Sequence, residues 1–254
     1  SLAQELQEPG SYGWSTPFRA DKFSQIDFES LLYWVGEKIG KIHIGTHAGT
    51  GGFAQSGSDV KALATQAGPP ETYLRAASAH PHLANRLRGI AETSARVEPV
   101  LLHGCLSPSS VLFTEEHVAI IGPDHIASGD PALDLAHMMA HLFVVSVHRG
   151  SSIFVTSAGA FHGGYARAIE GLDKLSIMNR AGPLTVAFML AFLEEEQASS
   201  FLTLEDKEII LDFSQWWLGR RDYTLGQVRS ALWDAVEGAI DWRAQFESLP
   251  SAND

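Results

Sequence analysis

Residues 101–136 read LLHGCLSPSSVLFTEEHVAIIGPDHIASGDPALDLA, and the alternation within this stretch decides the fold class. Apolar Val100, Leu101 and Leu102 run into a polar turn over residues 103–110. A short apolar run follows (Val111, Leu112, Phe113), then the polar trio Thr114, Glu115, Glu116, then a second run over 118–121. Short β-branched or apolar runs bounded by turn residues predict strands, here a strand, a turn and a hairpin. Residues 122–130 read as a loop, and Pro131 suits the first turn of the helix that follows, because its missing N–H is unpaired there in any case.

Outward from this stretch the pattern is helical. Residues 1–26 carry the breakers Pro9, Gly10, Gly13 and Pro17 and predict an irregular arm. Asp27 is a candidate N-cap for an amphipathic helix, with Leu31, Leu32, Val35, Ile39 and Ile42 at helical spacing, running to about His43. Residues 47–59, HAGTGGFAQSGSD, are glycine-rich but lack the GxxxxGK[ST] phosphate-loop pattern, so they read as a surface connection. Short helices are expected over 60–67, 71–79 and 83–96. Beyond the quoted stretch, the helix begun at Pro131 continues to about Val147 and another spans 151–172. Gly182-Pro183 is expected to separate the latter from an apolar helix over 184–201. Thr203, with Glu205 and Asp206 behind it, caps a helix to about Gly219. A last helix is expected over 223–247, with a frayed tail at 248–254. The expected class is α+β, mostly helical, with a small hairpin region. The expected domains are an arm (1–26), one body (27–247) and the tail.

The order of these elements, with His103, Gly104, Pro108, Gly129, Asp130, Pro131, Asp134, Leu135 and Ala136, resembles the C-terminal lobe of the aminoglycoside phosphotransferase and choline kinase superfamily. Its fold is kinase-like. Its pattern runs roughly HGDxxxxN, a hairpin, then IDxxxxxxGDPxxDLA. The resemblance implies that Asp130 and Asp134 shape a loop through hydrogen bonds to backbone N–H groups and that His103 packs and orients the backbone. It also implies that the helices over 60–96 form a substrate-pocket insert. The departures are specific. The catalytic Asp of the pattern falls on Cys105, the metal-binding Asn on Ser110 and the metal-binding Asp on Gly122. A carboxylate at the first position accepts or orients the proton of the attacking hydroxyl. The other two hold magnesium, a hard cation that takes oxygen ligands. The small nucleotide lobe that precedes the first helix in the family does not fit in the 26 residues before Asp27, since strands average about five to six residues before turns are added.

Composition narrows the partners. The 254 residues are 45% hydrophobic and 19% charged, as expected for a folded globular chain. Thirty acidic against 18 basic residues leave a net charge of −12, which argues against nucleic acid as the main partner. One cysteine allows no internal disulfide. The apolar run over 185–193 is too short to span a bilayer and the first residues lack a signal pattern, so the expectation is a cytoplasmic protein off the membrane.

Other residues suggest chemistry and are weighed against plainer roles. Cys105 beside His103 has the composition of a nucleophile–base pair, but a lone cysteine is more often a small buried hydrophobe. His137 and His141, four apart on a helix, have the spacing of two metal ligands, with His80, His82, His125 and His162 as further donors; the plainer role is semi-buried packing. Asp124, at the second acidic position of the ID segment, is a weak cation ligand by itself. Trp216, Trp217, Arg220 and Arg221 suit a partner surface or a helix end packed on the core. The expectation is a catalytically degenerate, pseudokinase-type binding module without a cofactor, whose partner is a small molecule or a protein, a second copy included. The alternatives are an ATP- and magnesium-dependent phosphotransferase whose nucleotide lobe is supplied elsewhere, and an enzyme repurposed around Cys105 or the histidines.

Overall fold

The computed structural model describes residues 25–47, 65–66, 71–113, 118–122, 126–196 and 199–219. The expectations for the arm, most of the glycine-rich segment, the last helix, Asp124, His125, Arg220 and Arg221 lie outside them. Among the described residues the chain is α+β and mostly helical, with seven α-helices and five short strands.

Helix α1 (Gln25–Thr46) starts two residues before the expected cap, so Asp27 falls inside its first turn. Phe28, Leu32, Val35, Ile39 and His43 form its buried stripe. Opposite them lies α5 (Ile153–Ala168), and the two helices touch backbone to backbone. A Cβ on Gly36 would strike the carbonyl of Phe161, and one on Gly164 the carbonyl of Tyr33. A Cβ on Gly40 would lie 2.6 Å from that of Ala168. The glycines are therefore contact surfaces, and side chains at these points would separate the helices.

Strand β1 (Thr65–Gln66) occupies part of the segment expected as a helix over 60–67. It is held by pairing rather than by its own propensity: β1 runs parallel to β5 (Ala127–Gly129), which runs antiparallel to β2 (Val100–Leu102), with Leu102 opposite Ala127. The expected loop over 122–130 thus contains a strand. Ser128 and Gly129 favour turns in isolation, and tertiary pairing overrides that preference. The expected hairpin is present, β3 (Val111–Phe113) against β4 (Val118–Ile120). Helices α2 (Glu71–Ala79) and α3 (Ala84–Ser94) flank a 3-10 turn at Pro81–Leu83.

Helix α4 (Ala132–Arg149) ends at Gly150, whose φ of 56° supplies the left-handed C-cap. Helix α6 (Lys174–Leu193) corrects two expectations, running through Gly182-Pro183 and long enough to match a membrane span in length and apolarity. Asp173 caps it by accepting from the Ser176 N–H at 3.0 Å. Pro183 removes one helical hydrogen bond, but Ile177 and Ala181 before it and Leu184, Val186 and Ala187 after it are all buried, so packing holds both halves in line. With 67% of its span window buried against its neighbours, α6 is the central core helix. Helix α7 (Leu204–Leu218) has the expected capping box: Thr203 N–H donates to Asp206 at 2.9 Å and Asp206 N–H donates to the Thr203 hydroxyl at 3.1 Å. His148 at the end of α4 also meets Asp206, at 2.9 Å. Thr203→Ala should lower stability by about 1 kcal/mol, readable as a fall in Tm of roughly 2–4 °C by calorimetry.

Candidate functional site

The 103–105 turn leaves the end of β2, and Asp134 in the first turn of α4 receives it. Asp134 Oδ2 accepts from the N–H of His103 at 2.7 Å and Oδ1 from that of Gly104 at 2.9 Å. Gly104 has a φ of 84°, a left-handed conformation that its lack of Cβ permits. His43 reaches the same Oδ2 through Nε2 at 3.2 Å, while its Nδ1 lies 2.8 Å from the hydroxyl of Tyr165 on α5. His43, Asp134 and Tyr165 are all buried. Burial opposes the charge on Asp134, but hydrogen bonds from His43, His103 and Gly104 outweigh it and hold the carboxyl below its ordinary range. Burial, then the charges of Asp134 and Asp130, push Tyr165 far up, so its hydroxyl stays protonated. A carboxylate only accepts, so the bond between His43 and Asp134 uses the proton on Nε2, while Nδ1 and the Tyr165 hydroxyl pair on the other side of the ring.

Asp130 serves the base of α4. It accepts from the Ala132 N–H at 3.0 Å and forms a two-pronged pair with Arg180 of α6, at 2.8 and 3.0 Å. This is the fork geometry that favours arginine over lysine.

The other residues singled out in the sequence lie in the turn and just after it. His103 Nε2 donates to the carbonyl of Ile121 at 3.0 Å, and the buried Nδ1 has no partner among the described residues. Cys105 is half-buried; burial, then the charges of Asp134 and Glu195, push its thiol up. No hydrogen bond joins His103 Nδ1 to the thiol, so these residues do not form a nucleophile–base pair in this structure. Ser110 turns its hydroxyl inward to the Cys105 carbonyl at 3.2 Å. Gly122 has a φ of 72°, so an aspartate there would be strained.

His137 and His141 stand edge to face with ring centroids 4.5 Å apart, packed against Phe188 and Phe192 of α6. His137 Nδ1 donates to the Leu106 carbonyl at 2.7 Å. Burial lowers the pKa of both and favours the neutral imidazoles, most strongly at His141, where His137 adds to the effect. Neutral imidazoles are the metal-binding form, but among the described residues no group of three or more His, Cys, Asp or Glu could hold a metal ion. Helices α2 and α3 border a half-open hollow of about 290 Å³ lined by Tyr73, Ala77, Leu87 and Ala91, with Arg88 and Glu92 beside them. Trp217 is buried and Trp216 packs against the core.

Sequence reasoning gave no role to His43, Tyr165 or Arg180. The signals were present: His43 continues the spacing of Leu32, Val35 and Ile39, and Arg180 is the only charge between Leu175 and Leu193. A polar group on an apolar stripe calls for a buried partner. The chain matches no family model, and no curated protein matches it.

Proposed function

We propose that this chain is a catalytically degenerate, phosphotransferase-like binding module with the kinase-like C-terminal lobe of the aminoglycoside phosphotransferase and choline kinase superfamily. One observation carries the reading: the frame of the turn is intact while its reactive positions hold no carboxylate. Asp134 and Asp130 are spent on backbone N–H groups, His43 and Arg180. Ser110 is spent on a carbonyl inside the turn, and Gly122 carries no side chain. The described turn therefore offers no uncommitted carboxylate to take a hydroxyl's proton and no oxygen cluster for magnesium. Two features support binding. Ile121, whose carbonyl receives His103, and Ile126, just before β5, are exposed large apolar residues beside the turn. The hollow between α2 and α3 lies near the lower size limit of small-molecule sites.

Thermal-shift measurement tests the reading. A nucleotide site held at about 100 times its Kd stabilises by about 2.7 kcal/mol, roughly 5–10 °C in Tm. MgATP at about 1 mM should leave Tm unchanged, because the liganding oxygens are lost. A rise of that size would replace this reading with that of an active phosphotransferase. Choline and an aminoglycoside tested without nucleotide separate the two kinds of partner. A rise in Tm favours a small-molecule module, and none favours a protein partner.

A further inference from the structure

We infer that the buried chain Tyr165–His43–Asp134 is a latch through which the α1–α5 pair sets how tightly the 103–105 turn is closed. The inference goes beyond the proposed binding role and stands whether or not the turn receives a ligand.

The turn is held from two sides. Its carbonyl side is held by Ser110 at the Cys105 oxygen and by His137 at the Leu106 oxygen. Its N–H side is held by Asp134. Asp134 Oδ2 is shared between the His103 N–H and His43 Nε2, so the position of the carboxylate depends on the His43 ring. That ring is fixed in turn by Tyr165, through the bond to Nδ1 and an edge-on contact with centroids 5.5 Å apart. Three helices thus meet the turn through one line of hydrogen bonds, and every side chain in the line is buried. Thr46, three residues beyond His43, accepts from the Leu101 N–H at 3.0 Å, so the end of α1 is also tied to the strand that feeds the turn.

Loss of the Tyr165 hydroxyl would leave the buried His43 Nδ1 without this partner and without access to water. An orphaned buried polar group is costly, and the ring relaxes by turning. Turning removes one of the two donors that fix Oδ2, and the N–H side of the turn loosens. The carbonyl side and the rest of the fold keep their bonds, so the effect is a local opening.

The chain carries its own reporter, because Cys105 is its single cysteine and lies half-buried in this turn. In the 254-residue chain, reaction of Cys105 with a neutral pyridyl disulfide should be about tenfold faster in Tyr165→Phe than in wild type, with the far-UV circular dichroism unchanged. Thr203→Ala, destabilised to a similar degree at the distant start of α7, should react within about twofold of wild type. A Tyr165→Phe rate within twofold of wild type overturns the latch. So does equal acceleration in Thr203→Ala, which would mark global opening. Native-state hydrogen exchange on the wild-type protein provides a route that needs no variant. The amides of His103 and Gly104 should share one opening free energy with the amides at the end of α1, residues 43–46. Separate opening energies for the two groups would also overturn the latch.

Discussion

Gly164→Ala should destabilise the protein by about 3 kcal/mol or more, at the upper end of overpacking effects, and lower Tm by roughly 6–12 °C. The new methyl group would be driven into the main-chain carbonyl of Tyr33, and backbone does not move aside as a flexible side-chain end does. Gly36→Ala should behave alike, since its methyl meets the Phe161 carbonyl. The adjacent Gly163 has the opposite sign. A methyl group there would meet only the Tyr33 ring, at 3.8 and 3.9 Å, an ordinary contact. Alanine is the better helix former, so Gly163→Ala should be neutral or stabilise by up to about 1 kcal/mol. Calorimetry on the three variants separates close helix packing from propensity. Similar Tm values for Gly163→Ala and Gly164→Ala would refute the backbone contact.

These glycines show where sequence reasoning stops. FHGGYARAI looks like a helix with two poor helix formers, and nothing local says which of the two faces another backbone. Only the register between α1 and α5, about 120 residues apart in the chain, decides it. The hairpin and α7 were legible because their signals are local: apolar runs around Thr114, Glu115 and Glu116, and Thr203 three residues before Asp206. The continuity of α6 was not, because the Gly-Pro pair is a local stop signal and burial on both sides of it is not local. Likewise Asp134 could be suspected from its place in GDPALDLA. The histidine beneath it comes from a helix 91 residues earlier in the sequence. Register between distant helices, rather than residue type, turns a set of polar residues into a connected line.

The second large effect belongs to that line. Asp134→Ala should cost about 3–5 kcal/mol, the range for breaking a buried charged network by removing one partner. The N–H groups of His103 and Gly104 and the Nε2–H of His43 would all lose their acceptor at once. Asp134→Asn should cost less, since one amide oxygen still accepts, but its NH2 group then faces a donor. The pH dependence distinguishes lost charge from lost shape. The folded-state pKa of Asp134 lies below the ordinary carboxylate value of about 3.9, because the hydrogen bonds it accepts outweigh burial. Its ionised form therefore stabilises the fold fully above that value, and the contribution falls away as pH drops through the lower folded value. The gap in Tm between wild type and Asp134→Asn should stay level from about pH 7 to pH 5 and narrow as pH falls below about 4. Asp206 is also held low, with burial outweighed by hydrogen bonds from His148 and Thr203, but it titrates in both proteins and cancels in the difference. A gap that remains level down to about pH 3 would mean that Asp134 holds the turn by shape alone, with no share for its charge.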